Sequence, residues 1–332
     1  MKIDIAISKE YGLLPPLIKS LAILPDDQKF FRERKRRHPF SLLTMAVRPY
    51  VSAMNSCYQQ LEDVAKQSLL SGEVGGEYEE LLASYQRVLH AAEAFDDVVN
   101  LLIGSFFSSE NLASKSGALR EFRSRSKRYR GKLGRTINAI KHRGGHLRPI
   151  VMLGSIGQEY CVAPGVYVEG VHVDGVIGPD EDVHLSGNSG FSLIRELRYY
   201  FAHIFFLCHW AEISLRGSGF IDREDGRSTQ RAISEIDGID DLARGLANSR
   251  LCMFPDEILR RNPGISFFKN RLESGLHVEL RGEPRARCIM SGQIKSSFRG
   301  DSISRAYKLP YMGHEANEKM YAKLMAQKFR LD

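Results

Sequence analysis

The 332-residue chain has no clustered cysteines, no long uninterrupted apolar run and almost no acid where its positive charge is densest, and each deficit removes a class of protein. Its five cysteines, Cys57, Cys161, Cys208, Cys252 and Cys288, are odd in number and far apart. Neither a disulfide framework nor a close-paired zinc or redox site is expected, and the thiols read as free and buried in a reducing compartment. The N-terminal MKIDIAISKEYGLLPPLIKSL carries acids and prolines where a secretory leader needs an unbroken apolar stretch, so a cytoplasmic location is expected. The longest apolar run, Tyr199 to Leu215, is interrupted by His203, His209 and Glu212 and is too short for a membrane span. Phosphate-binding glycine loops, dinucleotide fingerprints and nucleophile elbows are absent, so ATP-driven phosphoryl transfer and hydride chemistry have no support and no cofactor is expected.

What is present is enough apolar material, 43% of residues, to bury a sizeable core, with helical periodicity over much of the chain. Residues 1–41 form an N-terminal segment with a short alternating stretch, Lys2 to Ser8, that reads as an edge strand, and a basic cluster from Arg32 to His38 that ends at Pro39. Residues 42–150 read as a helical bundle: Leu42 to Leu70, with a break or first-turn position at Pro49, a turn at Gly72 to Gly76, Tyr78 to Phe107, and a basic helix from Ala118 to Arg148 ended by Gly144-Gly145. Residues 151–187 alternate between glycines as a small antiparallel hairpin insertion. Residues 188–332 read as a mixed region. It holds a core helix at Phe191 to Leu215, an exposed loop at Gly217 to Arg231, helices at Ile233 to Ala247, Pro255 to Arg260 and Glu315 to Phe329, and strands near Leu276 to Leu280 and Arg285 to Ser291. The expected fold is mainly α, a helical bundle with a small antiparallel β insertion and a mixed α+β C-terminal region.

The net charge of +7 is modest, but its distribution is not. Arg120, Arg123, Arg125, Lys127, Arg128, Arg130, Lys132, Arg135, Lys141, Arg143 and Arg148 stand in one stretch with Glu121 as the sole acid, and the charge is expected to wrap most of the helix. Phosphates would relieve that repulsion and release counterions on binding, which points to nucleic acid, RNA favoured, as partner. The alternative is internal relief by acids of the preceding helix, Glu77, Glu79, Glu80, Glu93, Asp96 and Asp97. Phe122 and Tyr129 are too few for a stacking platform, so backbone contact is expected over base reading.

Arg135, Asn138 and His142 fall at helical offsets of zero, three and seven, on one face over two turns. Such a face holds parts for metal-independent RNA cleavage. His142 would exchange the 2′-hydroxyl or leaving-group proton, Arg135 and Lys141 would stabilise phosphorane charge, and Asn138 would orient the histidine or the phosphate. One imidazole per face implies a homodimer to complete an acid and base pair. On these residues the stretch 42–150 resembles the HEPN superfamily of helical ribonucleases and nucleotide-binding proteins, in which an arginine and a histidine stand four to six residues apart. Arg135 and His142 have six between them, although Thr136 stands where the family usually has Asn, Asp or His. The resemblance implies a dimeric RNA-cleaving or RNA-binding protein, in a setting such as the toxin or effector of a prokaryotic defence system. A non-catalytic nucleic-acid-binding or assembly subunit with the same basic surface is the alternative. The spacing recurs at Arg32 with His38, Arg271 with His277 and, as second-choice catalytic pair, Arg198 with His203. Metal readings at His203, Cys208 and His209, or at Asp174, Asp180, Glu181, Asp182 and His184, give way to core packing and a polar turn, and no metal is expected.

Overall fold

The computed structural model describes residues 2–8, 12–25, 29–71, 78–156, 159–173, 175–184, 189–221, 236–254, 257, 264–269, 274–281, 295–300, 303–308, 310–311 and 323–325. The fold is mainly α. Two long antiparallel helices, α3 (Pro39–Ser71) and α4 (Tyr78–Gly104), follow strand β1 (Lys2–Ser8) and the short helices α1 (Pro16–Ala22) and α2 (Lys29–Glu33). Helices α5 (Glu110–Lys115) and α6 (Gly117–His142) lead into the hairpin β2 (His146–Ile156) and β3 (Glu159–Val171), followed by β4 (Ile177–Pro179) and β5 (Phe191–Ser192). The long core helix α7 (Leu193–Gly217) and α8 (Ile239–Asn248) precede β6 (Gly264–Lys269), β7 (Ser274–Arg281), β8 (Lys295–Gly300), β9 (Ile303–Lys308) and β10 (Lys323–Met325).

Helix α3 begins where the sequence suggests, with Pro39 in the first turn and the His38 imidazole accepting the Phe40 amide at 3.2 Å. It does not break at Pro49, which lies inside the continuous helix on an exposed face. Neighbours on α4 and α7 hold the buried face (Leu43, Val47, Tyr50, Val51 and Met54), and that packing outweighs the cost of about 3 kcal/mol for an interior proline. The basic cluster before it closes the end of α4. Arg34 donates to the carbonyls of Gly104 and Phe107 at 2.8 and 3.3 Å, and Arg36 donates to that of Leu101 at 3.4 Å. Both guanidiniums also pair with Glu110, at 2.9 and 3.1 Å.

Helix α7 is buried along nearly its whole length and is the axis around which α1, α3, α4, α6 and α8 pack. One apolar core runs from Ile5 to Val278 through all four stretches distinguished in the sequence. β1 is the edge of a three-stranded antiparallel sheet in the order β1-β7-β6. Strands β2 and β3 of the hairpin insertion are central to a larger sheet ordered β10-β2-β3-β4-β9-β8, in which β4 and β9 run parallel. One face of the hairpin (Val151, Val162 and Val166) packs on the bundle, and the other (Ile150, Met152, Ala163 and Tyr167) packs against Phe254 and Tyr311.

Three expectations need correction. The basic helix ends at His142, and residues 146–148 belong to β2. Gly144 at φ +68° turns the chain, and Gly145 returns its amide to the Ala139 carbonyl at 2.9 Å. The helix expected over Glu315 to Phe329 is a strand where it is described, β10, because the open edge of β2 offers backbone partners that helical periodicity cannot anticipate. Helix α8 starts at Ile239, behind Gly238 at φ +76°. The turn at Gly72 to Gly76, the strand at Arg285 to Ser291, the helix at Pro255 to Arg260 apart from Glu257, and the loop beyond residue 221 lie outside the described residues.

A β-carbon on Gly145 would stand 2.8 Å from the Ala139 oxygen and 3.0 Å from that of Glu169, both backbone atoms that cannot step aside. Gly145→Ala is therefore expected to lose about 1–3 kcal/mol, read as a lowered midpoint in urea denaturation. An unchanged midpoint would mean that the end of α6 is free to shift.

Candidate nucleic-acid interface

Helix α6 is fastened before any of its charges are considered. Ser116 caps it, its hydroxyl accepting the Leu119 amide at 3.1 Å, and Leu119, Phe122, Ser126, Tyr129, Leu133 and Ile137 recur at three- and four-residue steps as a buried stripe. Positive charge therefore does not wrap the helix. The polar members Ser126 and Thr136 interrupt an otherwise apolar seam and conceal it in the sequence.

The charges divide according to their distance around the helix from this seam. Those at its borders are held by acids of the same molecule. Arg130 pairs with Asp96 of α4 at 2.8 Å, Lys141 with Glu93 of α4 at 2.6 Å, and Lys132 with Glu196 of α7 at 2.6 Å. Beyond the helix end, Arg143 binds Asp180 at 3.0 Å and also Asp182, while Arg148 pairs with Glu169 at 3.1 Å. Arg125 pairs with Glu121 one turn away at 2.7 Å. Burial lifts the Asp96 carboxyl above its ordinary range, an effect opposed by Arg130. Internal relief by Glu93 and Asp96, the alternative open at the sequence level, thus accounts for two cations, and α7 and the β4 turn account for others.

Other cations line the side of α6 opposite the seam. Arg120, Arg123, Lys127, Arg128 and Arg135 are exposed there, together with Asn138 and His142. Among the described residues Arg120 reaches the Ser116 carbonyl at 3.4 Å, and Arg123 reaches Asn100 at 3.5 Å. Arg135, Asn138 and His142 thus share one exposed face, as their spacing requires. Lys141 does not join them, because it lies on the flank turned to α4.

The second-choice pair is not assembled. Arg198 is half-buried and donates to the Leu246 carbonyl of α8 at 2.8 Å, and desolvation lowers its pKa. His203 turns toward α6, its ring stacked on Tyr129 at 4.0 Å and tilted against Tyr199 at 4.4 Å. It is 2% exposed, and neither ring nitrogen has a hydrogen-bond partner among the described residues. Burial, reinforced by the nearby Lys132 ammonium, holds this imidazole well below its ordinary pKa of 6.5. An unfolded chain takes up a proton near pH 6.5 that the folded chain refuses, so this contribution to stability is full above pH 6.5 and is lost as pH falls below it. His203→Phe is expected to flatten the decline in urea stability between about pH 6.5 and 5, leaving the smaller slope of half-buried His209, whose pKa burial also lowers. An unaltered slope would show that His203 is not the group responsible.

A buried charge relay beside this face was not anticipated from sequence. Glu196 is fully buried, accepts both bonds of Lys132 and the Tyr85 hydroxyl at 3.2 Å, and lies 3.2 Å from Arg195, itself only 2% exposed. Glu257 takes the Ser192 amide at 3.2 Å, the Ser192 hydroxyl and the Phe254 amide at 3.2 Å, and thereby ties Ser192, the residue ahead of α7, to a distant segment. The Lys132 ammonium also lies 4.1 Å from the Tyr199 ring centroid and 5.0 Å from that of Phe191. The only available signal was an Arg-Glu pair in an apolar helix.

At the candidate acidic cluster, Asp180 accepts the amides of Asp182 and Val183 at 3.0 and 3.1 Å, His172 meets Glu181 at 2.8 Å, and His184 accepts the Val168 amide at 2.8 Å; Asp174 is outside the described residues. Among the described residues no three His, Cys, Asp or Glu groups are placed to hold a metal ion, and no helix is long and apolar enough to cross a membrane. The architecture is thus a helical bundle with an exposed basic edge, backed by sheets. Comparison with family models, curated proteins and solved structures finds no match to the chain.

Proposed function

We propose that the chain is an RNA-binding protein of HEPN-like type that engages phosphates along the exposed edge of α6 and cleaves RNA there without a metal. The observation that carries the reading is the placement of Arg135, Asn138 and His142 on one exposed face, beside the exposed Arg120, Arg123 and Lys127. In the proposed reaction one imidazole removes the 2′-hydroxyl proton as O2′ attacks phosphorus. A second protonates the departing 5′ oxygen, leaving a 2′,3′-cyclic phosphate, and Arg135 neutralises charge on the phosphorane. A two-fold dimer would bring the second His142 to the first. Lys141, committed to Glu93, takes no part.

The test is incubation of the purified chain with RNA in excess chelator, with end-group analysis and parallel binding measurements across salt. Cyclic-phosphate ends, together with binding that weakens as salt rises, are expected. Binding without cleavage would favour the non-catalytic reading on the same surface, which the five exposed cations support by themselves. A role in prokaryotic defence follows from the HEPN resemblance and would be tested by toxicity on expression.

A further inference from the structure

We infer that the exposed edge of α6 is a rail for the phosphate backbone of a base-paired nucleic acid, which lies lengthwise between two rows of cations over a strip of bare helix. The inference rests on the polyanion reading above and narrows it to one class of ligand. At about 100° per residue, Arg120, Arg123 and Lys127 fall on one rim, and Arg128, Arg135 and His142 fall on the other. Between them run Ser124, Gly131 and Asn138, and Gly134 lies on the first rim between Arg123 and Lys127.

Among the described residues nothing calls for the two glycines. There a β-carbon at Gly134 would meet no atom within 4 Å, and one at Gly131 would meet the Arg135 guanidinium at an ordinary 3.6 Å. Neither is among the positive-φ residues. Both weaken the helix, and both leave its backbone open to close approach where the flanking cations would grip a polyanion.

The choice of a duplex comes from what the edge lacks. Phe122 and Tyr129, the aromatic residues of α6, are sealed in the core at 0% and 1% exposure, so the unstacked bases of a single strand would find no platform there. A duplex keeps its bases stacked and presents phosphates outward, which is what guanidinium and ammonium groups recognise. The rail is pinned straight through Arg130 to Asp96, Lys132 to Glu196 and Lys141 to Glu93. From Arg120 to His142 it measures about 33 Å. That is on the order of one turn of a double helix.

The experiment compares binding of an RNA duplex of about 20 base pairs with that of each component strand, by fluorescence anisotropy between about 50 and 200 mM salt. The duplex is expected to bind about tenfold more tightly than either strand, with little dependence on sequence and a log-log salt slope near −4, as about four phosphate contacts require. Gly131→Gln, which removes no charge, is expected to raise the melting temperature by about 2 °C while weakening duplex binding about tenfold. A higher melting temperature with unchanged duplex affinity would show the bare strip to be ordinary solvated surface and overturn the inference. Tighter binding of the single strand would overturn the duplex assignment and leave the polyanion reading intact, whereas failure of both probes to bind would remove both.

Discussion

Replacing Glu196 with alanine is expected to destabilise the fold by about 3 kcal/mol, the cost of leaving buried cations without their counter-charge. Lys132 would lose both of its short bonds, Arg195 its nearest carboxylate and Tyr85 its acceptor, all in a region where water can reach only the 16% of the Lys132 side chain that is exposed. Its ammonium would still face Phe191 and Tyr199, which offsets a part of the loss. Removing both charges by Lys132→Met with Glu196→Leu should recover much of the deficit, because the penalty arises from the uncompensated charge more than from the absence of the pair. Urea denaturation of the two single variants and the double variant forms the cycle. A Glu196→Ala deficit below about 1 kcal/mol would show that the relay is solvated and contributes little.

This relay marks the boundary of what local pattern could reveal. The long helices were legible because their burial stripes are local: Leu81, Tyr85, Val88, Leu89, Ala92 and Phe95 announce α4 without reference to any other element. Strand β1 and strand β7 near Leu276 to Leu280 are legible for the same reason, whereas their pairing spans some 270 positions of the chain and emerges only in the fold. Charges behave as the strands do. Lys132 and Arg128 look alike in sequence, yet one lies beside the seam and inside the α6–α7 contact while the other is exposed, because the stripe that decides their facing is interrupted by Ser126 and Thr136. Acids that neutralise border cations come from α4, α7 and the turn after β4, so a helix read alone overstates its free charge.

That sorting sharpens the chemical question, because Arg135, Asn138 and His142 are the members of the candidate cleavage set left on the exposed face. His142→Ala is expected to lower metal-free RNA cleavage by about 100- to 10,000-fold, the usual contribution of a positioned acid or base. Arg135→Ala is expected to lower it by about 100-fold or more through loss of charge stabilisation on phosphorus. Neither should alter the melting temperature appreciably, since both side chains are exposed and neither has an ion-pair partner among the described residues. His203→Phe supplies the contrast: its imidazole is enclosed by Tyr129, Tyr199 and Trp210, so cleavage should stay within about twofold wherever the protein is folded. Titrating His142→Ala chains into the parent protein tests assembly. If two copies each supply one imidazole to a shared site, mixed dimers lack one of the pair and cleavage falls as the square of the parent fraction, whereas a site complete in each copy gives a linear fall. Loss of cleavage in His203→Phe with retention in His142→Ala would move the chemistry off the α6 edge altogether.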